Sequence, residues 1–494
     1  MLFNSYDFIL KFLPVVLVVC FALGHAGRSR IALAWLVAAS LFFYGWWNPP
    51  YLVLIVASIL FNWVVGRGLS AAERHRRVLL GVGIACNLAL LGYFKYAAFF
   101  VQNASGLIGM PLELRHIELP LAISFFTFQQ IAYLVDAYRS AAGERDLLRY
   151  GFFVAFFPQL IAGPIVHHSE VLPQTAVPGA FRFRHEHVAV GSTMFVIGLA
   201  KKVLIADSLS RVAVPVFDTA ARGAPLSFAE VWVGVLAYAF QIYFDFSGYS
   251  DMAVGLGRLV GIRLPVNFNS PYKAVTAVEF WRRWHMTLSR FLRDYLYIPL
   301  GGSRHGTARR YVNLMVTMLL GGLWHGAGWP FVLWGGLHGL YLVVNHAWRL
   351  VVDRLGLTFT GSRWWRLGVA RPLTFLAVLL GWVLFRAADL RVAGSMFGTM
   401  IGRDGFGTVL RPPFGGEHAT QTVLWLVALF AVVWGLPNSQ ELLSRHNPVF
   451  EPVPDSKHWL RWGPNGTWAV IIAAVGLACL LHMDQISEFL YFQF

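Results

Sequence analysis

A glycine-rich break in an apolar segment holds the first candidate catalytic residue. Residues 321–330 read GGLWHGAGWP, so His325 stands among four glycines and a proline. A broken helix at membrane depth is tolerated where protein or a cavity covers its backbone, and an ionisable residue there is a candidate functional group. Because imidazole exchanges protons near neutral pH, we predict that His325 acts as a general base. The alternative is a neutral histidine that hydrogen-bonds a backbone carbonyl. The N–H groups of Gly326 and Gly328 are candidate donors to an oxyanion.

Arginines and aromatic residues are interspersed over residues 279–295. The aromatic and apolar side chains recur at helical spacing, which predicts a basic amphipathic helix at the cytoplasmic surface of a membrane. Guanidinium groups match phosphate oxygens, so four arginines are candidates to bind the phosphates of a nucleotide-bearing donor: Arg282, Arg283, Arg290 and Arg293. His285 is predicted to line the same cavity. The alternatives are a helix that only contacts anionic lipid, and internal ion pairs of Arg282 and Arg283 with Asp245, Asp251 or Glu279.

Two carboxylates, Asp245 and Asp251, stand at the end of an apolar run. A buried acid needs a partner, and the arginines downstream could supply it, so these residues are either functional or structural. His338, on the helix predicted after the glycine-rich break, has the same two interpretations. The sequence contains no GxSxG, HExxH or P-loop motif, so an internal serine nucleophile is unsupported.

Membrane-spanning helices must position these residues. The chain of 494 residues is 57% hydrophobic and 13% charged, whereas a soluble domain carries charge on roughly a quarter of its positions. Its mean hydropathy is +0.57, and apolar windows close to the length of a membrane crossing recur from end to end. The windows lie at 8–24, 31–47, 51–66, 78–100, 117–135, 188–206, 228–248, 311–346, 369–386, 420–436 and 467–483. This pattern predicts one polytopic, all-α membrane domain over 1–494 with about a dozen crossings.

The basic residues set the predicted orientation. The net charge of +15 comes mainly from short segments between apolar runs, which is typical of cytoplasmic loops, so no nucleic-acid partner is expected. Alternate loops are basic and the tail 485–494 has no lysine or arginine, which places both termini in the periplasm. The segment 152–166 contains two prolines and a glycine and is predicted to be re-entrant or buried in protein. The three cysteines are far apart and predict no metal site.

Three strings resemble the membrane-bound O-acyltransferase family: DFSGYSDMA at 245–253, EFWRRWHMTLSRFLRDYLYIPLGG at 279–302 and GGLWHGAGWPFVLWGGLHG at 321–339. They are similar to the bacterial branch that acetylates exported polysaccharides. The resemblance implies a single domain in the bacterial inner membrane, with its helices arranged around a tunnel. It assigns the family's invariant histidine to His325 and a second, more variable polar position to His285. Candidates to line the tunnel are Trp324, Gly326, His338, Asp245 and Asp251.

The resemblance also implies substrates and partners. The donor would be a cytosolic acyl-CoA, here acetyl-CoA, with no bound cofactor. A periplasmic acyltransferase of the SGNH type would place the acetyl group on the exported polysaccharide. Two other interpretations stay open at this point: transfer of D-alanine from a carrier protein to a cell-wall polymer, and a transporter without chemistry. A transporter predicts inverted repeats, and none is visible in the sequence.

Overall fold

The structure is a computed structural model that describes residues 1–71, 74–110, 112, 114, 117–161, 163–410, 417–455, 458–483 and 490. Throughout these ranges the regular elements are helices, and no strand occurs in them. The predicted all-α class is therefore confirmed. The tail for which we predict a periplasmic position, 485–494, lies outside the described residues apart from Leu490.

Among the described residues, five helical stretches are long and apolar enough to cross a membrane: Asp7–His25, Pro50–Ala71, Arg76–Ile108, His185–Ala221 and Trp365–Arg386. Shorter apolar helices occupy Ser29–Gly45, Ala419–Gly435 and Gly466–Leu481. These stretches coincide with windows that hydropathy predicts. The larger number of about a dozen crossings stays a prediction.

The contacts divide the chain into two compact units. The first unit contains the described residues of Met1–Ala200, Gly248–Val266 and Ser439–Phe492, and the second contains those of Lys201–Ser247 and Asn267–Asn438. The first unit's helices are Leu13–His25, Ser29–Gly45, Pro50–Ala71, Arg76–Leu91, Ala97–Ile108, Ile123–Ser140, Leu147–Ala155, Phe157–Leu160, His168–Thr175, His185–Ala200, Ser439–Leu442 and Gly466–Leu481. The single domain over 1–494 stays a prediction.

The segment 152–166 interrupts the helices of the first unit. A helix ends at Ala155, the backbone leaves the helical region at Phe156, and a short helix Phe157–Leu160 follows. The freed N–H of Phe157 donates to the Ser40 hydroxyl at 3.0 Å, and the described residues of this segment are buried. Burial in protein, one of the two predicted alternatives, lets side chains satisfy a backbone that lipid could not.

The second unit is built around a helical hairpin. Its helices are Asp207–Ala221, residues 228–247 of the helix Phe228–Leu259, Ala277–Trp281, Met286–Leu292, Gly306–His325, Trp329–Leu355, Arg371–Arg386, Leu390–Met400 and Glu417–Gly435. In the hairpin Gly306–His325 and Trp329–Leu355, a Cβ atom at Gly322 or Gly335 would collide with the backbone of the opposite helix. Small residues therefore allow these two helices to touch along their backbones.

Candidate functional site

His325 is the last residue of the helix Gly306–His325. The break is shorter than the glycine-rich sequence: residues 321 and 322 remain helical, and only Gly326–Gly328 separates the two helices of the hairpin. Gly326 is extended, and its carbonyl accepts a hydrogen bond from the N–H of Gly328 at 3.0 Å. The Gly328 N–H, one of the two predicted oxyanion donors, is therefore already used within the turn.

Aromatic rings enclose His325. Its ring centroid lies 4.9 Å from Trp324, 5.0 Å from Trp334 and 5.3 Å from Phe385. His325 is only 4% exposed. A histidine in such surroundings is kept away from bulk water. Electrostatic interactions within this enclosure are stronger than in water, because the local dielectric is low.

His285 lies beside His325, with ring centroids 6.3 Å apart. The continuous helix predicted over 279–295 is wrong, because the chain forms Ala277–Trp281, a turn, Met286–Leu292 and a π-helical turn Arg293–Tyr297. His285 is in the left-handed region, with φ 43° and ψ 53°.

Hydrogen bonds from a distant part of the chain cause this break. The N–H of Met286 donates to the carbonyl of Asn267 at 2.9 Å, and the N–H of Asn269 donates to the carbonyl of Arg283 at 2.9 Å. These bonds replace the helical hydrogen bonds that a continuous helix would need across the turn. Helical spacing in the sequence could not reveal this competition.

The side chain of Asn267 orients His285. Nδ1 of His285 lies 3.1 Å from Oδ1 of Asn267, and the Thr287 hydroxyl donates to the same oxygen at 3.0 Å. Since an amide oxygen only accepts, Nδ1 carries the hydrogen and Nε2 carries the lone pair. His285 is fully buried. This pairing favours a neutral tautomer that can accept a proton at Nε2. Sequence reasoning missed Asn267.

The four candidate arginines have different surroundings. Arg283 pairs with Glu279 at 2.8 Å and also donates to the Asn269 carbonyl, which confirms one of the internal ion pairs considered above. Arg293 pairs with its neighbour Asp294 at 2.7 Å. Arg290 is half-buried on the helix Met286–Leu292. Arg282 is exposed and borders a cavity, so it is the arginine best placed to meet a ligand.

This cavity, called here the His338 cavity, has a volume of about 900 Å³. Its polar lining includes Arg282, Arg349, Arg366 and His338, and apolar residues of the helices Trp329–Leu355 and Arg371–Arg386 form much of its wall. His338 is buried, and its ring centroid lies 4.9 Å from Trp334. Within the described ranges, Nε2 of His338 has no hydrogen-bond partner. Trp334 thus contacts both His325 and a histidine that faces the cavity.

The two carboxylates lie in different units. Asp245, in the second unit, forms a buried ion pair with Lys202 at 2.7 Å, and Lys202 also pairs with Asp207 at 2.8 Å. Asp251, in the first unit, accepts a hydrogen bond from the Ser439 hydroxyl. Sequence reasoning missed Lys202 because it looked for a partner downstream of Asp245. In the part of the chain that the structure describes, no group of three or more metal-ligating side chains occurs.

The described part of the chain is all-helical, and several of its helices are long and apolar enough to cross a membrane, which defines a polytopic membrane protein. Two buried histidines, His285 and His325, form its candidate site. The sequence profile of MBOAT, the membrane-bound O-acyltransferase family, matches residues 86–376, more than half of the chain. The chain belongs to this family and is an acyltransferase. The transporter interpretation is therefore set aside.

Full-length similarity extends to named acetyltransferases. A peptidoglycan O-acetyltransferase of Helicobacter pylori is 39% identical over 100% of this chain and 98% of its own length. A probable alginate O-acetylase AlgI of Pseudomonas putida is 40% identical over 100% of both chains. A teichoic acid D-alanyltransferase of Streptococcus thermophilus is 26% identical over 54% of this chain and 68% of its own.

Proposed function

We propose that this protein moves acetyl groups from cytosolic acetyl-CoA across the bacterial inner membrane for O-acetylation of an exported, alginate-like polysaccharide. The observation that carries the proposal is the position of His325, buried in an aromatic enclosure beside His285 and within the segment that matches the family. The similarity to O-acetyltransferases over the full chain supports acetyl as the transferred group.

In the proposed reaction His325 is the general base. It takes the proton of an acceptor hydroxyl while the hydroxyl oxygen attacks the thioester carbonyl, which forms a tetrahedral oxyanion. The intermediate collapses as the carbon–sulfur bond breaks, and the proton held by His325 passes to the leaving thiolate. The products are an acetyl ester and a free thiol, so His325 returns to its neutral form.

His285 is proposed as a second catalytic group. Its Nε2 carries a lone pair because Asn267 accepts the hydrogen on Nδ1. With ring centroids 6.3 Å apart, the two histidines can meet the same small reacting group. His285 would position the acceptor hydroxyl or share its proton, whereas Asn267 acts only as a positioning residue through His285.

The donor's phosphates are proposed to meet the arginines of the His338 cavity. Arg282, Arg349 and Arg366 border it, while Arg283 and Arg293 are already paired with carboxylates. Guanidinium groups bind phosphate oxygens through charge-assisted hydrogen bonds. Among the four arginines that the sequence singles out, Arg282 is therefore the proposed phosphate contact.

The acceptor side is proposed to face the periplasm, with both termini on that side. A periplasmic SGNH-type acetyltransferase would receive the acetyl group and pass it to the polysaccharide. The acceptor hydroxyl at His325 would then belong either to a serine of that partner or directly to a sugar. The lipid bilayer is the other partner, since the membrane-length helices expose many apolar side chains.

A second candidate function is transfer of D-alanine from a carrier protein to a cell-wall polymer. It is favoured by the similarity to teichoic acid D-alanyltransferases, which covers about half of the chain. The two functions differ in the donor: one uses acetyl-CoA and the other a phosphopantetheinyl carrier.

The donor test uses the full chain in lipid nanodiscs. Radiolabelled acetyl-CoA and D-alanyl carrier protein are supplied in parallel, and label transferred to a hydroxyl acceptor is counted. Transfer from acetyl-CoA that is lost in His325→Gln is the expected result. Transfer from the D-alanyl carrier alone would replace the first proposal by the second.

A further inference from the structure

A smaller cavity in the first unit is lined by positive charge. It has a volume of about 320 Å³ and lies between residues 177–184, the first turn of the helix His185–Ala200 and residues 258–263. Its basic lining residues are Arg182, Arg184, His187, Arg258 and Arg263. We call this cavity the arginine pocket. None of its residues takes part in the acyl-transfer site proposed above.

Arg258 provides the strongest evidence that the arginine pocket binds a ligand. The residue is only 1% exposed, and its Nε has no hydrogen-bond partner within the described part of the chain. Its carboxylate partner, Glu186, lies at 3.5 Å and has a side chain that is 59% exposed. A buried guanidinium with an unused donor is costly unless a ligand supplies the missing acceptor.

Among the described residues, the charge of the arginine pocket is not balanced. Arg184 and Arg263 lie near enough to repel Arg258, and Glu186 offsets only one of the four guanidinium charges. The first N–H groups of the helix His185–Ala200 lack partners within that helix and add partial positive charge at the same place. An anion with several oxygens would relieve the repulsion and use these donors together.

The backbone around the arginine pocket is held in place. Gln174 forms two hydrogen bonds with the backbone of Arg263, each 2.9 Å long. Three lining residues are left-handed: Gly179 at φ 75°, Phe181 at φ 64° and Gly261 at φ 87°. A left-handed aromatic residue is rare, and such backbone concentrates at ligand-binding loops. Hydrogen bonds within the protein therefore fix the pocket wall at Arg263.

We infer that the arginine pocket binds a phosphate-bearing anion through the buried Arg258 together with Arg184 and Arg263. Guanidinium forks match phosphate oxygens in geometry and charge. The same chemistry fits a phosphate of a soluble metabolite and the headgroup of an anionic phospholipid. The inference does not depend on the acetyl donor, because its residues and its unit differ from those of the acyl-transfer site.

Binding is tested on the purified full chain with two probes. Pyrophosphate is titrated by calorimetry into protein in nanodiscs of neutral lipid, and retention of phosphatidic acid is measured by native mass spectrometry. The variants are Arg184→Gln and Arg263→Gln, each of which removes one charge from the pocket. The matched control is Arg391→Gln, which removes one charge from the second unit, where that side chain is 93% exposed.

We expect either pocket variant to raise the dissociation constant of the bound probe about tenfold, which equals about 1.4 kcal/mol, while the control stays within about twofold of wild type. Pyrophosphate binding with this pattern identifies a soluble ligand, and phosphatidic acid retention with this pattern identifies a lipid headgroup. If neither probe binds wild-type protein, or if the control weakens binding as much as the pocket variants, the inference is wrong. Should a glutamine variant fail to fold, Arg263→Lys keeps the charge but removes the fork, and it should still weaken binding.

Discussion

Replacement of His325 by glutamine is the most direct test of the proposed general base. Glutamine keeps a polar side chain of similar length but exchanges no proton near neutral pH. Alanine would be less informative, because His325 is 4% exposed and packed among aromatic rings. The space left by alanine would cost about 2 to 5 kcal/mol of stability and would confuse folding with catalysis.

The expected loss of acetyl-transfer activity in His325→Gln follows from the surroundings of the His325 ring. Loss of a general base typically slows a reaction by about 10² to 10⁴, which corresponds to about 2.7 to 5.4 kcal/mol in the activation free energy. Three aromatic rings with centroids 4.9 to 5.3 Å from that of His325 leave little room for a water molecule to replace it. We therefore expect a loss towards the upper end of this range.

The assay measures transfer of labelled acetyl from acetyl-CoA by equal amounts of protein in nanodiscs, together with the thermal midpoint of each variant. His25→Gln is the matched control, since His25 is exposed at the end of its helix and its ring bonds a carbonyl of the preceding turn. It should keep wild-type activity. If His325→Gln retained more than about a tenth of wild-type activity at an unchanged thermal midpoint, its role as a base would be refuted.

Four further predictions concern donor binding, folding and topology. Arg282→Ala should raise the dissociation constant for acetyl-CoA about tenfold in a binding titration without changing thermal stability, because Arg282 is exposed at the His338 cavity. Lys202→Met should lower the free energy of unfolding by about 3 to 5 kcal/mol, since it strands buried Asp245, and adding Asp245→Asn should restore part of the loss in denaturation experiments. Gly335→Leu should prevent close packing of the hairpin and reduce the yield of folded protein in size-exclusion chromatography. A cysteine placed at His305 should react with labels only from the cytoplasm, because basic loops stay inside.

Two of these tests have controls in exposed parts of the chain. Lys11→Met breaks an ion pair whose lysine side chain is 78% exposed, and it should cost less than about 1 kcal/mol. A Lys202 variant that costs no more than this would contradict a structural role for the buried pair. Gly394→Leu adds a side chain where nothing lies within 4 Å of the new Cβ, so its yield should match wild type. Equal losses for both glycine variants would mean that hairpin contact is not the cause.

The other two tests have clear contrary outcomes. Unchanged donor affinity in Arg282→Ala would contradict the predicted phosphate contact, and unchanged affinity after alanine replacement of each of the four arginines in 279–295 would leave that segment without a part in donor binding. Topology labelling requires a Cys86→Ser background, because Cys86 is exposed whereas Cys20 and Cys479 are buried. Labelling at position 305 from the periplasm would show that the predicted orientation is wrong, and it would contradict entry of the donor from the cytosol.

The sequence by itself determined the class of the protein and its leading candidate residue. Apolar windows of membrane length are a local property, so hydropathy located helices such as Pro50–Ala71 and Trp365–Arg386. The interruption of the helix after His325 could also be predicted from the sequence, because glycine and proline change the backbone at their own positions. The motif strings at 245–253, 279–302 and 321–339 pointed to the family that the profile match confirms.

Only the tertiary structure decided which side chains meet. His285 left its predicted helix because Asn267, 18 residues earlier, bonds its ring and the backbone that follows it. Lys202 forms an ion pair with Asp245, which lies 43 residues later in the sequence. Arg184 and Arg258, which are still farther apart in the sequence, line the same pocket. Periodicity and composition indicate only the local conformation that a residue and its sequence neighbours favour. Contacts between distant segments are set by how the helices pack, and packing places a buried charge or a histidine beside partners that no local pattern encodes.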